Sequence, residues 1–363
     1  MSKKIGIILI NYHDYARRFL EACRDSLRLQ NYPADKVIVY IVDNASSAGT
    51  REFLTQIYPE AKILFRSDGN YSAANNLGFR QAVADGCDYL VTVNMDTEMA
   101  PDWLSELVQA LESDPSVGVS QSKVLLFPQN EEEKNSPRLN TLGNHCHFLG
   151  FGTTSAYGEK DREISGYPEI RGYASGCCFI VKRELFEQIG GWNEEYYMYH
   201  DDIEFSFKAR LAGYKIVLAP KSRIFHKYEF SRSVRMLYYM ERNRYLLAFS
   251  FYPRRLLLFL APAFIIMDLG LLIFSLSKGW ARTWLKVRFY FLKPGTWWRI
   301  RKERRHFQNI AKKDFSALAE DFKGKLEFTE IDNPLLQYIG NPLLNFYWAA
   351  VKRLAIKRTD KNF

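Results

Sequence analysis

The sequence has few cysteines, and their arrangement does not suggest a disulfide framework. Five cysteines occur in 363 residues, and no two of them form a CxxC pair. Cys177 and Cys178 are adjacent, so a bridge between them would be strained, and the odd total leaves one thiol over. This usage fits a reducing compartment best, and we interpret both residues as buried structural residues in an apolar strand rather than as nucleophiles.

A long N-terminal hydrophobic run is also missing. The apolar stretch Ile5–Ile10 follows two lysines but ends at Asn11, so it is interpreted as a first buried strand rather than a signal segment. The chain shows no internal repeat and no low-complexity segment. With 47% hydrophobic and 15% aromatic residues, it has the composition of a folded chain with a substantial core.

The charge is not balanced along the chain. The formal net charge is +9, and the excess lies largely in the C-terminal third, beside the most apolar stretch. Basic patches suit nucleic acid as well as anionic lipid. The adjoining apolar stretch favours lipid, so we expect an anionic membrane surface as a partner and no nucleic acid.

Short β-rich runs alternate with helical segments in the first half, which predicts an α/β fold with a mostly parallel sheet flanked by helices. Helices are predicted roughly over Ala16–Leu29, Thr50–Tyr58 and Ala73–Ala84. The predicted strands are Ile5–Ile10, Val37–Val42, Lys62–Phe65, Tyr89–Val93 and, later, Cys177–Val181.

Polar residues follow three of these strands, at Asn11, at Asp43 and over Asn94–Asp96. Ligands of such sheets bind beyond the carboxyl ends of the strands, so one crevice is expected to gather all three. The segment Pro128–Pro137 is expected to be an exposed loop. A helix over Arg183–Ile189 is expected to end at Gly190-Gly191.

Three sets of residues are candidates for chemistry, and each has an ordinary structural alternative. Asp96 is a hard oxygen ligand for Mg²⁺ or Mn²⁺, or simply a cap for the next helix. Asp201, Asp202 and Glu204 suit a general base, because aromatic neighbours and like charges raise a carboxylate pKa, or they are acids favoured at a helix N-terminus. His226 is a metal ligand or a core histidine.

The joint order of motifs resembles the GT-A-fold family 2 glycosyltransferases, especially the bacterial rhamnosyltransferase-like and galactofuranosyltransferase-like members. The resemblance covers about residues 5–230. It is carried by a first strand ending in Asn-Tyr, followed by Val42–Ser46, Asn75–Gly78, Asn94–Thr97, Ser175-Gly176, Gly190–Glu194 and His200–Glu204.

The resemblance implies roles for individual residues. Asp43 would contact the nucleobase or ribose, and Asp96 would be the metal-binding Asp of a DxD-type motif. Asp202 would be the catalytic base with Asp201 beside it, and His226 a further metal ligand. The implied donor-binding residues are Asn11, Asp43, Asn75, Asn94 and Asp96, and those of the acceptor and sugar pocket are Gly176, Trp192 and Glu204.

One departure concerns the metal site, because Asn94 stands where many members carry Asp. A single-carboxylate site for Mg²⁺ or Mn²⁺ is therefore expected. The second departure is the turn Asp68-Gly69-Asn70, which replaces the family's Asn-x-Gly turn before the Asn75 helix.

The C-terminal region contains two apolar segments. Leu256–Ser277 is long enough to span a membrane, but basic residues flank both of its ends. A re-entrant hairpin bent near Pro262 or Asp268 would reconcile these facts, and a buried amphipathic pair is the alternative. Leu335–Val351 is a candidate in-plane anchor, and tryptophans alternate with cations over residues 280–305.

We therefore expect a catalytic domain over residues 1–230 and a helical, membrane-associated region over residues 231–363. The expected activity is inverting, metal-dependent transfer of a hexose, by resemblance L-rhamnose from dTDP-rhamnose. The expected acceptor is a lipid-linked glycan at the cytoplasmic face of the cell membrane. A polyprenyl-phosphate glycosyltransferase and a non-catalytic nucleotide-sugar-binding protein are the alternatives. The sequence does not indicate an oligomeric state.

Overall fold

The computed structural model describes residues 2–228, 236–327 and 334–356. The chain folds into two compact units. The first contains residues 1–144, Thr154–Arg210 and Tyr214–Tyr228, and the second contains His145–Thr153, Leu211–Gly213 and the described residues beyond 228. The predicted domain boundary between residues 230 and 231 lies outside the described residues.

The first unit is built on a large mixed sheet. Its strands are β1 (Ile5–Tyr12), β2 (Val37–Asn44), β3 (Lys62–Arg66), β4 (Tyr89–Val93), β5 (Thr97–Met99), β6 (Val117–Leu126), β7 (Leu139–Thr141), β10 (Cys178–Lys182) and β11 (Lys215–His226). Two short strands, β8 (Asn144–Cys146) and β9 (Gly152–Thr154), pair separately.

The strand order in the large sheet is β3-β2-β1-β4-β10-β6-β11-β5, with β7 paired to β6. Strands β1 to β4 are mutually parallel, and so are β6 and β11. Strand β10 is antiparallel to both of its neighbours, β4 and β6, and therefore joins the two parallel halves. The α/β prediction and its mostly parallel sheet are confirmed.

Helices cover the sheet as the alternating pattern predicts. They are α1 (Ala16–Arg28), α2 (Ala48–Ile57), α3 (Tyr71–Ala84), α4 (Trp103–Glu112), α5 (Glu131–Asn135), α6 (Arg183–Ile189) and α7 (Asp201–Leu211). The main apolar cluster packs residues of α1, α2 and α4 against Ile7 and Leu9 of β1. Ile8 points to the opposite face, where α3 lies so close that a Cβ on Gly78 would meet the Ile8 side chain at 2.7 Å.

Two local predictions need correction. The segment Pro128–Pro137 is not wholly a loop, because Asn130 accepts the Glu133 N–H and caps the short helix α5. The helix expected over Phe205–Ala212 begins earlier, at Asp201, so Asp201, Asp202 and Glu204 lie within the first turn of α7. Helix α6 has the predicted bounds, and Gly190 ends it in the left-handed conformation with φ 74°.

The second unit is helical. Its helices are α8 (Leu237–Phe251), α9 (Arg254–Ser277), α10 (Ala281–Leu292), α11 (Pro294–Ile310), α12 (Ser316–Ala319) and α13 (Asn341–Val351), with π-helical turns at Leu336–Gly340 and Lys352–Ile356. Helix α9 continues through Pro262 and Asp268, so the bend predicted near either residue is wrong. The chain reverses after Ser277 instead, where Gly279 has φ 73°.

A buried arginine organises the helices of this unit. The Arg244 side chain is fully buried and forms an ion pair with Glu241 at 2.8 Å. Its guanidinium lies 4.4 Å from the ring centroids of both Phe151 and Tyr245. A buried charge needs such partners, since leaving it unpaired is strongly destabilising.

Candidate functional site

The ends of β1 and β2 hold a buried carboxylate. Asn11 and Asp43 are register partners, and the Asn11 amide donates to Asp43 Oδ1 at 2.8 Å. The Ser46 hydroxyl donates to Asp43 Oδ2 at 2.6 Å, and Arg51 Nε lies 3.3 Å from the same oxygen. Asn11 Oδ1 also accepts the Ala16 N–H at the start of α1. Asn11 thus fixes the orientation of Asp43 against the first helix.

The end of β4 is connected to helix α3. Asn94 Oδ1 accepts a hydrogen bond from the Tyr71 hydroxyl at 3.0 Å. Asn75 is buried, accepts from the Thr92 hydroxyl at 2.9 Å and donates to the Tyr71 carbonyl at 3.3 Å. The Asn75 amide is therefore used in packing α3 against β4, and its donor-binding role stays a prediction.

Asp96 and His226 meet beyond the ends of β4 and β11. Asp96 Oδ1 lies 3.5 Å from His226 Nε2, and both side chains are largely buried. The Tyr15 hydroxyl donates to Asp96 Oδ2. On the other side of the ring, His226 Nδ1 lies 2.9 Å from Asn140 Oδ1. Four segments distant in sequence thus converge on one carboxylate–imidazole pair.

Asp202 is held by backbone donors at the start of α7. The Gly176 N–H donates to Asp202 Oδ2 at 3.2 Å, and the Ile203 N–H donates to Oδ1 at 2.9 Å. Burial raises the pKa of Asp202 above its usual range, and these backbone donors partly oppose that shift. Burial and the neighbouring Asp202 charge likewise raise the pKa of Asp201.

Backbone contacts connect the acidic residues at the start of α7 with the end of β4. The Asn94 N–H donates to the Cys177 carbonyl at 2.8 Å, one residue from the Gly176 that holds Asp202. Asn94, Gly176 and Asp202 are thus linked by backbone contacts, and the single crevice predicted to gather Asn11, Asp43 and Asn94–Asp96 stays a prediction.

Two predicted pocket residues have structural partners. Glu204 is fully buried and forms an ion pair with Lys208 at 2.6 Å. Trp192 is buried in an aromatic cluster, with its ring centroid 4.8 Å from Phe79 and 4.6 Å from Phe205. These contacts favour a packing function for both residues, and their place in an acceptor pocket stays a prediction.

The segment before Asp201 has an unusual backbone. Tyr197, Tyr199 and His200 all have φ between 61° and 67°, a region that non-glycine residues rarely adopt. At Tyr197 (φ 67°, ψ −61°) the chain forms a γ-turn, in which the Met198 N–H donates to the Tyr196 carbonyl at 2.7 Å. Such conformations cost of order 1–3 kcal/mol each and are concentrated at functional sites.

This strained segment closes the N-terminal end of α3. The Tyr197 carbonyl accepts the N–H groups of Tyr71 at 2.8 Å and Ser72 at 3.1 Å. Asn70 caps the same helix, since its side chain accepts the Ala73 N–H at 3.0 Å and its carbonyl accepts the Ala74 N–H at 3.0 Å. All four N–H groups of the first turn are therefore satisfied within the protein.

Several residues that contact the predicted site could not be identified from the sequence. Tyr15, Asn140 and Tyr71 each contact a predicted site residue, and Tyr197 shapes the loop before the acids. Tyr15 is 81 residues from Asp96, and Asn140 is 86 residues from His226. No local spacing signals such pairs, because only the folded sheet brings them together.

The carboxylate–imidazole pair suits a divalent metal ion. A His226 tautomer that donates its Nδ1 proton to Asn140 Oδ1 would leave the Nε2 lone pair available to a metal ion held beside Asp96. The described residues contain no group of three or more His, Cys, Asp or Glu side chains arranged for a metal. Two protein ligands fit Mg²⁺ or Mn²⁺ when substrate phosphates supply the others.

The mixed sheet with helices packed on it defines an α/β class of protein, and comparison identifies the family. Residues 6–190 match the model of "Glycosyl transferase family 2", and the chain belongs to that family. It is 15% identical to GalNAc-T7, whose crystal structure contains UDP, GalNAc and Mn²⁺, with a TM-score of 0.50. That match covers 63% of this chain and 44% of GalNAc-T7, and it supports the GT-A fold.

Curated relatives match over about half of the chain. The uncharacterized protein y4gI of Sinorhizobium fredii (strain NBRC 101917 / NGR234) is 33% identical over 201 residues, covering 53% of this chain and 21% of the relative. The N-acetylglucosaminyl-diphospho-decaprenol L-rhamnosyltransferase of Mycobacterium tuberculosis (strain ATCC 25618 / H37Rv) is 26% identical over 213 residues, covering 52% and 66%. The chain thus spans less than two thirds of the length of either relative.

Proposed function

We propose that the chain is an inverting, metal-dependent glycosyltransferase that moves a hexose from a nucleotide donor to a hydroxyl group of a lipid-linked glycan. The observation that carries this proposal is the set of polar contacts at the strand ends. The Asp96–His226 pair lies two residues along the chain from Asn94, whose N–H donates to the Cys177 carbonyl. The adjacent Gly176 N–H donates to the second carboxylate, Asp202. Family membership supports the same reaction class.

Asp202 is the proposed general base. Burial raises the pKa of this carboxylate toward the operating pH, which improves proton abstraction from an acceptor hydroxyl. The backbone donors at Gly176 and Ile203 fix its orientation. With one base, the deprotonated acceptor attacks the anomeric carbon on the face opposite the departing diphosphate, so the configuration inverts.

Asp96 and His226 are the proposed metal ligands. A bound Mg²⁺ or Mn²⁺ would neutralise charge on the departing diphosphate. Tyr15 and Asn140 orient the two ligand side chains from behind. Such outer partners commonly change metal affinity 10–100-fold when they are removed.

Asp43 is the proposed contact for the nucleobase or ribose. Asn11 and Ser46 hold the carboxylate in place, and Arg51 partly balances its charge. A buried, fully oriented carboxylate can accept hydrogen bonds from ribose hydroxyls or base N–H groups with little reorganisation.

The proposed donor is dTDP-L-rhamnose, and the proposed acceptor is a glycan on a lipid diphosphate in cell-surface polysaccharide biosynthesis at the cytoplasmic face of the membrane. The support is the relative named as an L-rhamnosyltransferase, together with the apolar C-terminal region. Full-length protein should be tested for stabilisation against thermal unfolding by a panel of nucleotide sugars with Mn²⁺, since a ligand of the folded state raises the melting temperature.

A transfer assay with the best ligand then separates the alternatives. Transfer to a glycan hydroxyl that depends on Asp202 supports the proposal. Transfer to a polyprenyl phosphate that survives Asp202→Asn would identify a polyprenyl-phosphate glycosyltransferase, whose acceptor needs no strong base. Donor binding without transfer or hydrolysis would identify a binding protein.

A further inference from the structure

Helix α9 exposes a continuous apolar stripe. Six large apolar residues on one side of the helix are exposed, at spacings of seven, one, three, four and three residues, and we call them the outer stripe: Leu258, Ile265, Ile266, Leu269, Ile273 and Leu276. These spacings place them within one face of the α-helix, along a stripe about 27 Å long. Leu258 is 74% exposed, Ile266 71% and Ile273 69%.

Side chains on the opposite side of α9 are buried within the second unit. Leu256, Leu260, Ala263, Phe264 and Ser275 are buried and lie on the inward face. The Phe264 ring lies 5.7 Å from Tyr245 of helix α8. A helix that is apolar all round and packed on one side needs an apolar surrounding on the other.

Cations flank both ends of α9, and more are exposed on α11 of the same unit. Arg254 and Arg255 begin α9, and Lys278 and Arg282 follow its last turn, all four of them exposed or partly exposed. Helix α11 presents exposed Trp298, with cations exposed around it at Arg299, Arg301, Lys302 and Arg305. Apolar side chains bordered by cations and indole rings match the acyl boundary and headgroups of an anionic bilayer.

The neighbouring helix indicates how α9 lies. Helix α10 runs back along α9, and Arg288 of α10 forms an ion pair with Asp268 of α9. These residues lie about 10–13 Å from the helix ends at the reversal, so α10 accompanies half of α9. Lys286, on the same short helix, is exposed.

That arrangement opposes deep insertion. If α9 crossed the bilayer or dipped steeply into it, Lys286 and the Arg288–Asp268 pair would enter the hydrocarbon with it. Charged side chains are strongly disfavoured at that depth. If α9 lies flat, the stripe enters the acyl boundary while the cations stay among the headgroups.

We propose that the outer stripe docks α9 in the plane of an anionic membrane surface, with both ends of the helix on the same side of the bilayer. The docking involves only the second unit and does not depend on which sugar is transferred. It differs from a single crossing and from purely electrostatic attachment.

The first test is binding of the full-length protein to phosphatidylcholine vesicles with and without phosphatidylglycerol. Ile273→Ser should weaken binding about tenfold, because most of an exposed isoleucine would otherwise leave water on docking. Leu29→Ser is the matched control, since Leu29 is also 69% exposed but lies in the first unit. Lys278→Glu should weaken binding only where phosphatidylglycerol is present.

Equal effects of Ile273→Ser and Leu29→Ser, or full release of the wild type by salt, would overturn docking by the stripe. Dissociation of a dimer by Ile273→Ser in vesicle-free solution would overturn it too, because the stripe would then be a contact between two copies of the chain.

The second test is topology. All five native cysteines are buried, so Arg254→Cys and Lys278→Cys introduce single reporters at the exposed ends of α9. A membrane-impermeant maleimide added outside sealed vesicles carrying the full-length protein should label both variants or neither, and detergent should make both reactive. Labelling of one variant only before detergent is added would establish a crossing and contradict the in-plane arrangement.

Discussion

Replacing Asp202 with asparagine is the sharpest test of the site, because the change preserves shape and removes the basic oxygen. The carboxylate accepts two backbone hydrogen bonds, from Gly176 and Ile203. Asparagine keeps one amide oxygen and turns its NH₂ group toward the other donor. The structural loss is therefore about one hydrogen bond, or about 1 kcal/mol of unfolding free energy.

The expected catalytic loss is larger. Removing a general base typically costs about 10²–10⁴ in rate, equivalent to roughly 3–5 kcal/mol of activation free energy. Initial rates at saturating donor and acceptor measure this loss, and calorimetric titration should give nearly unchanged donor affinity. Asp35→Asn is the control, since Asp35 is exposed and the change is equally isosteric.

The pH profile supplies an independent criterion. Only ionised Asp202 can take a proton, and burial raises its pKa, so the wild-type rate should fall as the pH drops through a value above the usual aspartate range. This acid limb should vanish in Asp202→Asn. A variant with wild-type rate, or an unchanged acid limb, would refute the assignment.

Three further predictions concern other parts of the site. Asp96→Ala and His226→Ala should each weaken donor binding in the presence of Mn²⁺ but not in EDTA. Asn140→Ala should lower the affinity for Mn²⁺ about 10–100-fold. Titration calorimetry measures both effects. Burial and the charges of Asp202 and Glu204 raise the pKa of Asp201. Between the ordinary aspartate pKa and this raised pKa, the folded protein therefore binds more protons than the unfolded chain. The free energy of unfolding falls as the pH rises through this range. Asp201→Asn should therefore stabilise the protein increasingly with pH in thermal unfolding, and a constant offset would contradict this. Tyr197→Gly should be more stable than Tyr197→Ala by about 1 kcal/mol, since both lose the ring and only alanine keeps the penalty for positive φ.

The sequence predicted the parallel strands well because their signal is local. Ile5–Ile10 and Val37–Val42 are short apolar runs, and each became part of a buried parallel strand. The antiparallel insertion of β10 between β4 and β6 could not be inferred, because strand order depends on long-range pairing. Helix α5 was missed, since five polar residues, none of them buried, look the same in a loop and in a capped turn.

The residues of the candidate site show the same contrast between local and long-range signals. Asp96, Asp202 and His226 could be proposed from the sequence because they belong to a motif order that resembles the family and lie near predicted strands and helices. Tyr15 and Asn140 were not, since their function depends on contacts across more than eighty residues. The sequence also did not indicate that Glu204 is neutralised by Lys208, although the two lie one helical turn apart.

The closed end of helix α3 has a consequence for how this protein handles phosphate. Many nucleotide-binding α/β folds place a phosphate against the free N–H groups of a helix start, using the helix dipole as a fixed positive charge. Here the Tyr197 carbonyl and Asn70 take all four N–H groups of that turn. The positive end of the α3 dipole therefore faces the Tyr197 carbonyl. These N–H groups are therefore not available to a phosphate, and a diphosphate bound beside α3 would need its counter-charge from other groups.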